Sequence, residues 1–249
     1  MMLLSSTAFP VASVGDSLHL ARRFYEAQEY VDALRYYRAF LNENKFVDHY
    51  GAIVIEASLT LMGVQQQVPF IQEYLAKAPT LDDKALIYQH LAFLHEYLGD
   101  YTTAINHYIL AYEHSRPVRY ELYLRVAKLS FELGEYERSL YMARRVKSET
   151  AMHPALHNEI LLVMIRSVLM LPDNINKLEA IIQHERLFME EHAQANLLYL
   201  LYLGYSRNHE FAKSQEYKLK LIRRYPESPE AQEVQGYVKR SIAPSLLWW

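Results

Sequence analysis

Residues 84–117, KALIYQHLAFLHEYLGDYTTAINHYILAYEHSRP, decide the fold of this chain. The segment predicts two amphipathic helices joined by a turn at Gly99, and Pro117 ends the second helix because proline has no backbone N–H. Side chains that are apolar or small recur at helical spacing in both halves, which is typical of buried stripes. The members of these stripes are Tyr88, Leu91, Ala92, His95, Ala104, Ile105, Tyr108 and Ala111. One such pair cannot bury both of its faces, so it requires neighbours of the same kind.

The turn at Gly99 has counterparts along the chain. Comparable turns begin at Gln28, Gly63, Gly134, Pro172 and His209. With Gly99 included, successive starts differ by 35 (63−28), 36 (99−63), 35 (134−99), 38 (172−134) and 37 (209−172) residues. A helix–turn–helix unit repeated at this period indicates a solenoid, in which each pair covers the apolar face of the next.

Three of the repeats follow the turn with a small residue and then an apolar one. These pairs are Ala33-Leu34, Ala104-Ile105 and Ser139-Leu140, and Tyr225-Pro226 closes the last repeat. With this period and these pairs, the chain over roughly residues 14–241 resembles a tetratricopeptide-repeat (TPR) protein of about six degenerate units. The resemblance implies an all-α fold, a right-handed superhelical solenoid of TPR-like helix–turn–helix pairs with a C-terminal capping helix.

Three segments are expected along the chain. Residues 1–15 form an apolar N-terminal extension or a secretory signal remnant, with a small-residue cleavage site at residues 11–13. Residues 16–228 form the solenoid. Residues 229–249 hold a polar capping helix and an apolar Leu-Leu-Trp-Trp tail. Because tryptophan is unfavourable in water, Trp248 and Trp249 are expected to contact the last helices, a second copy of the chain, a partner or a membrane interface.

Capping residues and prolines set the expected helix ends. The first two pairs are expected over residues 16–28 with 30–42 and over 48–62 with 68–76, and Thr80 caps the third pair. Pro69 is placed in the first turn of its helix, where the missing N–H costs no hydrogen bond. Pro154 opens the most apolar helix, and Arg166 within it favours a buried helix over a membrane span. The sixth pair is expected over about residues 191–225.

The composition excludes several classes of protein. The chain has no cysteine, which rules out disulfides and cysteine nucleophiles. A formal net charge of −3 argues against a nucleic-acid partner, although residues 1–118 carry −5 (8 Lys/Arg, 13 Asp/Glu) and residues 119–249 carry +2 (18 against 16). No phosphate-binding loop, nucleophile elbow or zinc-protease motif is present, so the chain is predicted to be no enzyme and to need no cofactor. Its 11 histidines are scattered, and no metal site is predicted.

The TPR resemblance implies a function as well as a fold. In that family the first helices of successive repeats line a concave groove that binds extended or helical peptides. The chain is therefore expected to be a scaffold or adaptor for a protein or peptide partner. In the register of the repeats, the predicted groove residues are Arg22, Tyr25, Tyr50, Ile53, Gln89, Phe93, Tyr97, Leu124, Lys128 and Phe131.

Two alternative functions stay open. One is bacterial cell-envelope assembly, because residues 223–231, RRYPESPEA, resemble the repeat closure of envelope-assembly TPR proteins. The other is a small-ligand or metal-binding helical protein, which requires polar groups that converge in one pocket.

A cluster of basic residues near the C-terminus is expected to form a solvated helix face. It consists of Lys213, Lys218, Lys220, Arg223 and Arg224. No transmembrane helix is predicted, the compartment is cytoplasmic or bacterial periplasmic, and homo-oligomerisation is left open.

Overall fold

A computed structural model describes residues 14–44, 46–148, 154–172 and 174–236. These ranges contain fourteen α-helices and no strand, so the predicted all-α fold is confirmed. In chain order the helices are α1 Val14–Glu26, α2 Tyr30–Glu43, α3 Tyr50–Ser58, α4 Val64–Leu75, α5 Leu81–Tyr97, α6 Tyr101–His114, α7 Tyr120–Glu132, α8 Tyr136–Ser148, α9 Pro154–Leu169, α10 Asn174–His184, α11 Arg186–His192, α12 Ala195–Arg207, α13 Phe211–Arg224 and α14 Pro229–Val234.

The chain divides into two compact units between Leu122 and Tyr123, inside α7. In the first unit, α1 packs on α2, α3 on α4 and α5 on α6, and α3 also packs against α5. In the second unit, α9 packs against α8, α10 and α12, while α12 packs against α13 and α14. Each unit is thus built from helical hairpins whose apolar faces are covered by the next hairpin.

Four of the predicted turns share one backbone geometry. Gln28, Gly99, Gly134 and His209 have φ between 62° and 77°. At Gly99 the N–H donates to the carbonyl of Glu96, the next N–H donates to the carbonyl of His95, and both distances are 2.9 Å. The same two bonds close α1, α7 and α12. This arrangement satisfies the last carbonyls of each helix, and glycine suits it because a left-handed φ does not strain a residue without Cβ.

A small residue lies five positions after each of these turns. Ala33, Ala104, Ser139 and Ser214 are all buried where two helices cross. The Ser139 hydroxyl donates to the carbonyl of Ala127 at 2.7 Å, so this polar group is satisfied inside the core. Small side chains let the paired helices approach closely, which confirms the small-then-apolar signal of the sequence.

The second repeat differs from the prediction. α3 spans only Tyr50–Ser58, and α4 begins at Val64, so Pro69 lies inside the helix rather than in its first turn. Gly63 is extended at φ −150° and precedes α4, so it does not close α3 in the left-handed conformation. The proline removes the donor for the carbonyl of Gln65, but Gln65 is exposed and water can take the place of that donor.

Two further helix boundaries differ from the sequence prediction: a break occurs around residue 185, and the capping helix, expected over residues 230–241, ends at Val234. Thr80 caps α5 by accepting a hydrogen bond from the Asp83 N–H at 3.0 Å, and Pro154 is the first residue of α9. The short helix α11 was not predicted as a separate element, because no glycine or proline marks the break before it, and α12 begins only at Ala195. Within the described ranges, no helix is both long and apolar enough to cross a membrane.

Candidate functional site

One face of α5 presents exposed aromatic side chains. Phe93 is 56% exposed and Tyr97 is 74% exposed, and their spacing of four residues places them on the same side of the helix. His90 stacks on Phe93 with ring centroids 6.3 Å apart, and the half-buried Gln89 lies one turn before Phe93. We call these four residues the α5 face. Large aromatic rings left in water at helical spacing are a feature of binding surfaces.

Arg22 belongs to a three-residue polar network in the first unit. Its guanidinium donates through Nε and a terminal nitrogen to the two carboxylate oxygens of Glu56, both at 2.9 Å, and the Tyr37 hydroxyl donates to Glu56 at 2.6 Å. Burial raises the pKa of Glu56, but the hydrogen bonds from Arg22 and Tyr37 outweigh it and hold that pKa below its usual value. The network ties α1, α2 and α3 together and fixes the Arg22 side chain.

Tyr25 and Gln89 are also held by neighbours. The half-buried Tyr25 ring packs edge-on against Tyr30 across the turn, with centroids 5.6 Å apart. The Gln89 side-chain oxygen accepts a hydrogen bond from Arg119, and Arg119 also pairs with Glu121 at 2.9 Å. Both residues are half-buried at the surface, and each is held by a contact with a neighbouring side chain.

Three predicted groove residues lie in the core instead. Tyr50 is 0% exposed, Ile53 is 4% exposed and Leu124 is 4% exposed. α3 packs against α2, α4 and α5, so nearly every side of this short helix is covered. Burial raises the pKa of the Tyr50 hydroxyl to about 12. The prediction that these three side chains line an open groove is therefore wrong, since a ligand cannot reach them.

In the second unit, Lys128 and Phe131 lie at the surface of α7. The Lys128 ammonium donates to Glu159 on α9 at 2.8 Å, one repeat further along the chain. Phe131 is half-buried and packs edge-on against Tyr136 across its turn, at 5.3 Å between centroids. This contact matches the contact between Tyr25 and Tyr30, so the two repeats use equivalent positions in the same way.

A charged cluster is buried in the second unit around Glu185. Glu185 is 5% exposed, forms an ion pair with Lys147, and lies 2.9 Å from Nε2 of His157. The His157 ring stacks on Phe188 with centroids 3.9 Å apart. Burial lowers the pKa of Lys147. The pKa of His157 is also lowered, mainly by burial and to a smaller extent by the positive charges of Lys147 and His192. The cluster joins α8 and α9 to the junction of α10 and α11.

A cavity of about 360 Å³ opens beside this cluster. Its lining combines basic, acidic and apolar side chains from α8, α9 and α10 with the residue that follows α10. The lining residues are Arg144, Lys147, Met164, Ala180, Ile181, His184 and Glu185.

Comparison with solved structures decides the fold class. PilW, described as a widely conserved type IV pilus biogenesis factor, matches with a TM-score of 0.54 and 17% identity over 91% of this chain and 100% of its own. YrrB, a TPR protein with an unusual peptide-binding site, matches with a TM-score of 0.53 and 14% identity over 80% of this chain and 97% of its own. This chain has the TPR fold. PilF of Pseudomonas aeruginosa matches with a TM-score of 0.50 and 17% identity over 90% of this chain and 97% of its own. No protein-family model and no curated protein matches the chain.

Several residues of the polar contacts in this TPR fold were missed by the sequence analysis. Glu56, the partner of Arg22, follows it by 34 residues, which is about one repeat, so the repeat period itself was the available signal. Arg119 lies between helices and gave no periodic signal. Glu185 is 38 residues from Lys147 and 28 from His157, and no local pattern connects them.

The remaining predictions for the TPR chain concern the basic cluster, metal binding and the two ends of the chain. Lys213 pairs with Glu179, Lys220 pairs with Glu216, and Arg224 donates to the carbonyl of Glu190, so part of the basic cluster is engaged in local contacts. In the described ranges, no group of three or more histidine, aspartate or glutamate side chains could hold a metal ion. The N-terminal extension up to residue 13, Trp248 and Trp249 lie outside the described residues.

Half-buried histidines of the TPR hairpins make stability depend on pH. Burial lowers the pKa of His90, His107 and His157 below the ordinary value, and a charge on His95 lowers that of His107 further. Between the folded and the unfolded pKa values the unfolded chain binds more protons, so stability rises with pH there. We therefore expect the melting temperature to fall as the pH is lowered from 7.5 to 5.5.

Thermal denaturation followed by circular dichroism across that interval tests this expectation. The double variant His90→Gln/His107→Gln should show a flatter dependence than the unmodified chain. His19→Gln, which changes an exposed histidine, should leave the dependence as it is. A melting temperature that stays constant or rises on acidification would contradict the expectation.

Proposed function

We propose that this chain is a non-catalytic protein-interaction scaffold that binds a segment of a partner protein on the α5 face. The observation that carries the proposal is the exposure of Phe93 and Tyr97 on the first helix of a TPR hairpin, where the second helices do not cover them. Two exposed rings on one rigid helix provide apolar area at little cost in conformational entropy. Support comes also from the fold, whose hairpins hold such a helix in place.

The chemistry of the α5 face and its surroundings favours a particular kind of partner. The aromatic rings favour an apolar side chain in the bound segment, and Gln89, fixed by Arg119, offers a polar group at one end. Residues 1–118 carry a net charge of −5 (8 Lys/Arg, 13 Asp/Glu), so a basic partner segment associates faster than an acidic one. We therefore propose a helical or extended segment that combines apolar and basic residues.

Alanine substitution on the α5 face tests the proposal. In the double variant Phe93→Ala/Tyr97→Ala, we expect partner affinity to fall by about 2 kcal/mol or more, or roughly 30-fold in Kd. Partners are first captured from the native lysate with the unmodified chain, and Kd is then measured with the purified partner. Circular dichroism verifies that the variant keeps its helices.

The matched control removes the same residue types from second helices. Tyr141 on α8 is 59% exposed and Phe211 on α13 is 64% exposed, so Tyr141→Ala/Phe211→Ala deletes similar exposed rings elsewhere. The control variant should keep full affinity. Equal losses in both double variants, or a loss in the control alone, would move the binding surface away from α5.

A role in bacterial cell-envelope assembly is a second candidate. It rests on the segment from Arg223 to Ala231, in which Ser228 caps α14 by accepting a hydrogen bond from the Ala231 N–H at 3.1 Å. Cell fractionation of the native organism tests this role. Recovery of the protein with the envelope supports it, and recovery only with the cytosol contradicts it.

A further inference from the structure

We propose that the cavity of the second unit binds a small carboxylate that carries an apolar tail. This site lies in a different unit from the α5 face and does not depend on the proposed function. Its volume of about 360 Å³ falls within the range of roughly 300–1,000 Å³ that small-molecule sites occupy. Its lining includes the cations Arg144 and Lys147 together with apolar side chains of α9 and α10, which is the combination that an amphipathic anion requires.

The basic part is centred on Arg144. This residue is exposed on α8, and in the described part of the chain it has no ion-pair partner. It lies three residues before Lys147, so both cations are on the same side of the helix. An arginine guanidinium can donate two parallel hydrogen bonds to one carboxylate, which makes it suited to this type of ligand.

The acidic group in the lining does not oppose an anion. Among the described residues of the lining, Glu185 is the only acidic one, and its carboxylate is already paired with Lys147 and lies next to His157. The buried ion pair is therefore close to neutral, and Arg144 supplies the remaining positive charge. His184, also in the lining, lies 3.6 Å from the Glu185 carboxylate through its Nε2.

The apolar part comes from α9 and α10. Met164 and Ile181 line the cavity and are almost fully buried, while Ala180 is an exposed residue of the same lining. An alkyl tail that contacts these side chains leaves water, and each CH₂ removed from water strengthens binding by about fourfold. An alkyl carboxylate with its head at Arg144 and its tail on Met164 and Ile181 satisfies both parts of the lining.

Isothermal titration calorimetry of the full chain with octanoate tests the proposal. We expect octanoate to bind and octanol to bind at least tenfold more weakly. Hexanoate, which has two fewer CH₂ groups, should bind about fifteenfold more weakly. Arg144→Gln should weaken octanoate binding about tenfold, and Ala180→Phe should abolish it by filling the cavity. Arg138→Gln removes the same charge from another position on α8, where Arg138 pairs only with Glu135 in the described structure, and should bind octanoate normally.

A second ligand distinguishes two sources of the carboxylate. N-acetyl-leucyl-leucine represents a peptide C-terminus, whereas octanoate represents a free acid. The ligand that binds more tightly shows whether the site prefers a peptide C-terminus or a free acid. Either result supports the site if Arg144→Gln weakens the binding of that ligand. Equal affinities for octanoate and octanol, unchanged binding in Arg144→Gln, or no binding of either carboxylate at millimolar concentration would overturn the proposal. Circular dichroism of Ala180→Phe excludes unfolding as the cause of a loss.

Discussion

The substitution Glu185→Ala is expected to lower the free energy of unfolding of the second unit by about 3 kcal/mol or more. The Glu185 carboxylate is almost fully buried and is the partner of both Lys147 and His157. Removing it leaves the Lys147 ammonium largely buried without its counter-charge, and the cost of an uncompensated buried charge exceeds that of losing an exposed ion pair.

Chemical denaturation followed by circular dichroism measures this effect. The two units of a repeat protein can unfold in separate transitions, so the change is assigned to the transition that the substitution shifts. The matched control is Glu159→Ala, because Glu159 is also paired with a lysine in the second unit, but its side chain is 52% exposed. The control should change stability by less than about 1 kcal/mol.

A double substitution separates charge burial from packing. In Lys147→Met/Glu185→Leu both members of the ion pair become apolar, and buried pairs replaced in this way often keep or gain stability. We expect the double variant to be more stable than Glu185→Ala. If Glu185→Ala were no more harmful than Glu159→Ala, the buried cluster would not stabilise the fold.

The substitution Gly51→Ala is expected to destabilise the first unit by about 2 kcal/mol. A Cβ at this position would lie 2.7 Å from the carbonyl oxygen of Asp83 and 3.1 Å from its Cα. Both are backbone atoms at the start of α5, so no side-chain rotation can relieve the overlap. The Gly51 N–H also donates to the Asp83 carboxylate at 2.8 Å, and moving α3 away would lengthen that bond.

Gly63→Ala is the matched control for this prediction. Gly63 has an extended backbone at φ −150°, and a Cβ there would have no atom within 4 Å. Replacing it should therefore cost nothing and can add a few tenths of a kcal/mol by restricting the unfolded chain. Both variants are compared by the same denaturation experiment. Similar stabilities for the two variants would show that α3 and α5 can separate without cost.

The turns were predictable because their conformation depends on few residues. Gly99 and Gly134 supply the left-handed φ, and the small residues Ala104 and Ser139 follow at a fixed distance, so the repeat could be recognised from local patterns. The second repeat was placed less accurately. Gly63 occurs at the expected position but precedes a helix instead of ending one. Because α4 begins at Val64, Pro69 lies inside this helix and not in the first turn, where the sequence analysis placed it.

The surface was only partly predictable. Phe93 and Tyr97 were placed on an open face, and they are exposed. Tyr50, Ile53 and Leu124 occupy comparable positions in their repeats but are buried, because α3 and α7 are covered on more sides than helical spacing can indicate. The exposure of Phe93 and Tyr97 could therefore be predicted from the sequence, whereas the number of repeats that contribute exposed side chains could not.

The sequence by itself determined the helical hairpins, their period and the conformation of most turns. These features depend on hydrogen bonds and side-chain spacing within short segments, and such segments carry their own signals. Only the tertiary structure decided which side chains are covered, and only it brought Glu185, Lys147 and His157 together beside a cavity. Burial and charge pairing depend on segments tens of residues apart, so their energies are set by packing and leave no local pattern in the chain.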